Sequence, residues 1–312
     1  MDKRILVTGG TGFIGQALCP ALLEKGYSLT VLSRQSDSVV QSLCGHVEAL
    51  SDLQNLQGHS GFNAVINLAG EGIADKRWSE ARKQALRDSR IALTKTLTSV
   101  INTWEQPPEV LVSGSAVGFY GDQGSNPVTE DTAPVDEFTH KMCRDWENAA
   151  LTVSSEQTRV CLSRTGIVVG PGGGFLKRML LPFKLGLGGR IGNGQQFMPW
   201  VHRDDVVAAL IWMLETPGAN GAYNVVSPDP VTNRRFTSVL AGVLHRPAVF
   251  PVPPFVLKIG LGEMARLLLT GQQAHPKKLE DEGFDFRYKA LEATRRRGRI
   301  ASCLASSRRR VY

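Results

Sequence analysis

Eight residues near the start of the chain, Thr8-Gly9-Gly10-Thr11-Gly12-Phe13-Ile14-Gly15, follow the apolar run Ile5-Leu6-Val7 and open a stretch with helical periodicity. Glycines at these spacings shape backbone rather than supply reactive side chains. Gly9 and Gly10 permit a turn that a Cβ would obstruct, Gly12 lets the backbone come close to a pyrophosphate, and Gly15 lets helix and strand pack closely. The helix start adds free N–H groups and the positive end of its dipole. The predicted chemistry is dinucleotide binding, with Gly9, Gly10, Thr11, Gly12, Phe13, Ile14 and Gly15 forming the phosphate cradle.

A second apolar run ends at Val31-Leu32-Ser33-Arg34. A site that selects NAD usually places an acid there to hold the ribose 2′-hydroxyl. Here Ser33 and Arg34 take that place. A guanidinium pairs with a 2′-phosphate that Asp or Glu would repel, so NADP is the expected cofactor.

The elements that must position these residues alternate. Strands are predicted at residues 4–8, 28–33, 64–68 and 110–113, with a further β-rich run at 159–169. Helices are predicted at 15–25, 78–103 and 138–151. That order gives an α/β fold, a Rossmann-type doubly wound parallel sheet. From Gly170 the composition changes to glycine- and proline-rich punctuation around shorter elements, including helices at 204–215 and 233–244. This reads as a smaller C-terminal α/β substrate lobe. The organisation expected is a dinucleotide-binding domain over 1–170, a lobe over 171–289 that can return strands to the main sheet, and a basic tail over 290–312.

Composition narrows the classes. The 312 residues carry a net charge of +7, of which six units fall after Lys289, where seven arginines face Glu292 alone. The rest is close to neutral, so nucleic-acid binding would rest on the tail and is disfavoured. Five scattered cysteines, Cys19, Cys44, Cys143, Cys161 and Cys303, form no CxxC pair, which argues for reduced thiols and against a metal site or disulfide framework. No apolar run reaches the roughly 18 residues of a membrane span, and no signal peptide is recognisable, so a cytoplasmic location is expected.

Further motifs carry a resemblance. They are Asn67-Leu68-Ala69-Gly70, Trp78 with the following stretch to Arg90, Ser113-Gly114-Ser115, Tyr120-Gly121, Arg164 through Pro171, Trp200 through Val206, and Tyr223-Asn224-Val225. Together with the glycine fingerprint they resemble the extended short-chain dehydrogenases/reductases, the superfamily of NAD-dependent epimerases and dehydratases. More narrowly, the chain is similar to the atypical epimerase-family proteins of the bacterial YfcH type, from about Lys3 to Tyr288. The resemblance implies that Leu68 and Ala69 line the adenosine and pyrophosphate channel, that Arg90 approaches the cofactor, and that Val168 meets its nicotinamide end. It likens Asp52-Leu53 to the pair that contacts adenine, and makes His202, Asp204 and Asp205 mainly architectural.

The superfamily's catalysts are a Ser, a Tyr and a Lys four residues after the Tyr. A Tyr near its ordinary pKa of about 10 is a poor base until a neighbouring cation favours the phenolate. No Tyr-x-x-x-Lys occurs in this sequence. Aligning Glu147 with the acid that follows the motif puts Thr139 in the Tyr position and Cys143 in the Lys position. Ser115 remains, and Tyr120 and His140 are the candidate acid–base groups. Lys177, Arg178, Lys184 and Arg190 could hold a phosphorylated or nucleotide-linked small-molecule substrate, or could equally be solvated surface. Two functions stay open ahead of a third, an anion- or nucleic-acid-binding role through the basic tail: an NADP-dependent epimerase or oxidoreductase with a modified site, using Ser115 and Tyr120, and a non-catalytic NADP-binding sensor or scaffold. A homodimer is compatible with either.

Overall fold

The computed structural model describes residues 3–58, 61–153, 155–184, 188–248 and 250–292, without the side chains of residues 176–178 and 181. Five strands, β1 (Arg4–Thr8), β2 (Ser28–Leu32), β3 (Glu48–Leu50), β4 (Ala64–Asn67) and β5 (Val110–Ala116), alternate with helices α1 (Gly15–Glu24), α2 (Asp37–Cys44), α3 (Glu80–Arg87) and α4 (Leu93–Ile101). The chain continues through β6 (Pro127–Val128), α5 (Phe138–Ala150), β7 (Arg159–Thr165), β8 (Ile167–Val169) and α6 (Gly174–Lys184). Next come β9 (Phe197–Met198), β10 (Trp200–His202), α7 (Arg203–Glu215), β11 (Gly221–Val225), β12 (Val231–Thr232) and α8 (Asn233–Leu244). The central sheet has the order β11-β7-β5-β4-β1-β2-β3, and every pairing in it is parallel.

Side chains alternate across β1 and divide the core into two layers. Ile5 and Val7 join Val31, Ile66 and Val112 beneath Leu18 and Leu22 of α1 and Val206 and Leu210 of α7. Leu6 faces the other way with Val65, Leu111 and Leu162, covered by Leu97 and Ile101 of α4. Helices on both faces make the sheet doubly wound, and the strand order reverses between β1 and β4. At that point ligands of such sheets enter, beyond the carboxyl ends of the strands.

Several local outcomes differ from the sequence expectation. β3 was not predicted: three half-exposed residues at a sheet edge carry little periodic signal, and the strand is fixed by pairing with β2. The run at 159–169 divides at Gly166, where a Cβ would meet the Pro199 carbonyl oxygen at 2.1 Å. Beyond that point β8 leaves the central sheet and pairs with β10. The stretch 78–103 is not one helix; Ser79 caps α3, accepting from the Arg82 N–H, and a π-helical turn over Asp88–Ala92 separates α3 from α4. β11, from the C-terminal part, forms an edge of the central sheet.

The boundary expected at 290 also shifts. Leu291 is buried with Trp200, Phe236 and Tyr288 in the core of the lobe, and Glu292 pairs with Arg235 at 3.1 Å. A large apolar side chain with a place in the core anchors the backbone there, so residues 290–292 belong to the packed lobe. The arginine-rich remainder, 293–312, lies outside the described residues.

Candidate dinucleotide site

The turn after β1 is built as its glycines require. Gly9 has φ +73°, and a Cβ on it would lie 2.6 Å from the Leu68 carbonyl and 2.8 Å from the Ala69 nitrogen. The loop after β1 and the loop after β4 therefore touch at backbone distance. The Ala69 N–H donates to the Thr8 hydroxyl at 3.3 Å, and Thr8 in turn donates to Asn67 at 2.6 Å. Gly15 is closed in, since its Cβ would fall 2.4 Å from the carbonyl oxygens of both Gly9 and Gly10. Gly12 differs. It is exposed, and an added Cβ would meet only the Gly9 oxygen, at 3.1 Å.

No side chain caps the first turn of α1. An open glycine edge beside an uncapped helix start is a cradle for phosphate oxygens, which accept from N–H groups and meet the positive dipole end. These residues fit a dinucleotide. Ser33, whose N–H donates to Leu50, and the exposed Arg34 close the end of β2. Asp52 accepts from the Gln54 N–H while Leu53 is buried.

Arg90 sits on the π-helical turn, a local widening that is frequent at functional sites. Its guanidinium donates to the Glu71 carbonyl at 2.7 Å and lies 5.4 Å from the Trp146 ring. It also lies against Gly70, where a Cβ would come within 3.1 Å of it. Val168 and Phe13 both border Gly174, so the nicotinamide-end candidate and the fingerprint lie together. Lys184 is exposed and Arg190 half-buried, whereas the side chains of Lys177 and Arg178 lie outside those described. His202 caps α7, accepting from the Asp204 N–H, and Asp205 accepts from the N–H groups of Arg287 and Tyr288.

The candidate catalysts occupy a closed polar network. The Ser115 hydroxyl donates to Glu147 Oε1 at 2.6 Å. Arg164 donates to both oxygens of the same carboxylate at 2.9 Å, and the pair is buried. Burial pulls the Arg164 pKa down, but Glu147 outweighs it and holds the guanidinium well above its ordinary range. Tyr120 is 0% exposed; its hydroxyl donates to Asn224 Oδ1 at 2.7 Å and accepts from Arg164 at 3.0 Å. Burial pushes its pKa up to about 12.

Tyr120 thus lies in a buried, bracing position: its hydroxyl proton is donated to Asn224, and raising its pKa favours the neutral form at physiological pH. His140 is likewise buried, with Nδ1 at 2.7 Å from the Phe119 carbonyl oxygen. Thr139 and Cys143 both face Gly118. Burial, and then the Glu147 charge, pushes the Cys143 thiol up to about 12, so it is no ready thiolate.

The sequence reading gave Glu147 and Arg164 no role, although an arginine inside the apolar run of β7 was a signal that a buried partner existed. Thr94, which accepts from both Asn67 and Trp146, was also missed. A single hydroxyl on an amphipathic helix carries no comparable signal.

Fold and site together define a dinucleotide-binding protein of the doubly wound type. Residues 5–226 match the NAD dependent epimerase/dehydratase family, and the chain belongs to that family. Residues 252–296 match a domain of unknown function, DUF1731, which carries the likeness past Lys289. The chain is 37% identical to the epimerase family protein YfhF of Bacillus subtilis, over 93% of this chain and 95% of that protein. The human epimerase family protein SDR39U1 (isoform 2), solved with NADPH, superposes with a TM-score of 0.86 and is 34% identical, covering 94% of this chain and 98% of that one. A nucleoside-diphosphate sugar epimerase from Corynebacterium glutamicum superposes with a TM-score of 0.75 at 28% identity, over 99% of this chain and 61% of that one. The chain is an atypical extended short-chain dehydrogenase/reductase with a site for NAD(P).

Proposed function

We propose that this chain holds NADP(H) in the crevice between β1 and β4 and reads that dinucleotide as a sensor or scaffold, without the Tyr–Lys proton transfer of the superfamily. The observation that carries the reading is the commitment of Ser115 to Glu147 inside the buried Arg164 pair. A bound nicotinamide supplies or accepts a hydride; turnover further needs a group that exchanges a proton with the substrate. Ser115 donates elsewhere, Tyr120 holds its proton, and the positions aligned with Tyr and Lys carry Thr139 and Cys143. The preference for the 2′-phosphorylated form rests on Arg34, and the NADPH in the human relative's structure agrees with it.

The enzymatic reading, an epimerase or oxidoreductase acting on a phosphorylated or nucleotide-linked small molecule, draws support from family membership. It requires Ser115 to release Glu147. Buried free thiols at Cys19, Cys44, Cys143 and Cys161 suit a reducing compartment, and the cytoplasm is our proposal. Among the described residues no helix is long and apolar enough to cross a membrane.

The deciding experiment is a calorimetric titration with NADPH and NADH, combined with an absorbance assay of NADPH oxidation across a panel of nucleotide sugars and carbonyl compounds. Binding of NADPH with no oxidation above background is expected. Substrate-dependent oxidation that Ser115→Ala abolishes would overturn the sensor reading in favour of the enzyme.

A further inference from the structure

One cation near the fingerprint has no place in the site as described so far. Arg203 is the first residue of α7, directly after the His202 cap. A positive charge in the first turn opposes the helix dipole, and the residues that follow, Asp204 and Asp205, are of the kind this position favours. Where a local preference is broken without local gain, a functional demand is the first explanation to test.

The side chain is turned toward the dinucleotide loop. Arg203 Nη1 donates to the Pro171 carbonyl at 2.9 Å, and its guanidinium lies 5.1 Å from the centroid of the Phe13 ring. Its Nε is shielded from solvent and has no hydrogen-bond partner. Among the described residues no carboxylate forms an ion pair with it. A shielded N–H of a cation without an acceptor is costly, and an arriving anion removes that cost.

The segment 170–174 makes this approach possible. A Cβ on Gly170 would lie 2.9 Å from Arg203 Cβ, and one on Gly173 or Gly174 would strike the Phe13 ring at 2.6 or 2.7 Å. These glycines, which from sequence read as punctuation of the lobe, instead let a second loop lie flat against the fingerprint. They bring Pro171 and Arg203 to Phe13.

We propose that Arg203 is a second cation of the dinucleotide site and recognises the diphosphate bridge, while Arg34 recognises the 2′-phosphate. The inference rests on the reading that this crevice binds NADP(H). Its ligand chemistry is a nucleoside-linked diphosphate, and the source we assign is the pyridine dinucleotide; the diphosphate of a nucleotide sugar is the competing source.

The test uses the full-length protein and Arg203→Met, which keeps an unbranched side chain against Phe13 but no charge. NADPH, NADH, 2′-AMP and UDP-glucose are titrated by calorimetry, and thermal denaturation checks the fold. The expected result is a loss of about tenfold to a hundredfold in affinity for both NADPH and NADH. Affinity for 2′-AMP, which lacks the diphosphate, stays unchanged, and Arg203→Lys, which keeps charge but not the planar fork, shows a smaller loss. Should Arg203→Met lower the melting temperature, the Lys variant and the unchanged 2′-AMP affinity still separate charge recognition from misfolding. Unaltered NADPH and NADH affinities overturn the proposal, including the case where only UDP-glucose binding falls. Wild-type protein that binds neither dinucleotide would remove the underlying reading, and this assignment with it.

Discussion

Ser115 and Glu147 are joined by a 2.6 Å hydrogen bond in which the serine hydroxyl donates. The same carboxylate takes two further bonds from Arg164 at 2.9 Å. β5, α5 and β7 are thereby tied together through one buried carboxylate. Removing one partner of a buried pair leaves the other charge without compensation, at a cost of about 3–5 kcal/mol. Glu147→Gln is expected to destabilise the fold by that order, measured by urea denaturation. Ser115→Ala should cost only about 1 kcal/mol and leave NADPH affinity unaltered. A Ser115→Ala variant that binds NADPH far more weakly at unchanged stability would contradict this structural role for the hydroxyl.

Tyr120 gives a pH dependence with a defined sign. Its folded pKa is raised from 10 to about 12, so the folded state keeps the proton after the unfolded state has lost it. The stabilisation is fully present below pH 10 and is lost as pH rises toward 12, amounting to about 3 kcal/mol. Burial pushes Tyr27 and Tyr223 up as well, so the difference between wild type and Tyr120→Phe isolates the effect. Denaturation curves collected between pH 9 and about 12 should converge for the two proteins as pH rises. Parallel curves across that range would show that Tyr120 does not resist ionisation.

The last two glycines of the fingerprint, Gly12 and Gly15, separate folding from binding. Gly15→Ala drives a methyl group into two carbonyl oxygens at 2.4 Å, both of them backbone atoms. A stability loss above about 2 kcal/mol is expected. Gly12→Ala meets only one atom at 3.1 Å and should cost under about 1 kcal/mol. The same methyl stands on the open edge of the cradle, so NADPH affinity should fall by about tenfold or more. Thermal denaturation and calorimetry on both variants check the pair. Equal effects of the two on stability would mean that Gly12 serves the turn and leaves the ligand side to other residues.

Much of this arrangement was legible because its signals are local. The fingerprint lies where a strand of period two meets a helix of period 3.6, and α8 coincides with the stretch predicted at 233–244. The network around Ser115 was not legible. Ser115, Tyr120, Glu147 and Arg164 come from β5, the turn after it, α5 and β7, and no spacing rule links them. A motif match identified Ser115 and Tyr120, but whether their hydroxyls are free or committed depends on partners 32 and 104 residues away. Arg203 was hidden for a related reason, since its environment is made by Phe13 and a glycine loop from separate parts of the chain.

Arg34 predicts cofactor choice. It stands exposed at the end of β2, where an acid would hold a ribose hydroxyl in an NAD site. Arg34→Asp replaces a charge-assisted bond with repulsion, so NADPH affinity should fall by about a hundredfold while NADH changes by less than about threefold. Calorimetric titration of both nucleotides measures the ratio. Equal losses would mean that Arg34 does not contact the 2′-phosphate.

Restoring the missing pair should fail, and the reason is burial rather than spacing. In the double variant Thr139→Tyr/Cys143→Lys the new ammonium replaces a side chain that is 1% exposed, beside the face that holds Gly118. The carboxylate one turn along α5, Glu147, whose charge acts on this position, is already held by Arg164 and Ser115. Burial, the cause that raises the Cys143 thiol, would lower the pKa of a lysine there, since it penalises whichever form is charged. The unfolded state then binds more protons than the folded one, so stability should rise with pH up to the ordinary lysine range near 10. At neutral pH a loss of about 3–5 kcal/mol is expected for Cys143→Lys alone. Urea denaturation at pH 7 and 9.5, within about one pH unit of that range, measures both the loss and its recovery. A Cys143→Lys variant as stable as the parent at pH 7 would show that the pocket accepts the cation, and the superfamily's proton relay could then be rebuilt by substitution at these two positions.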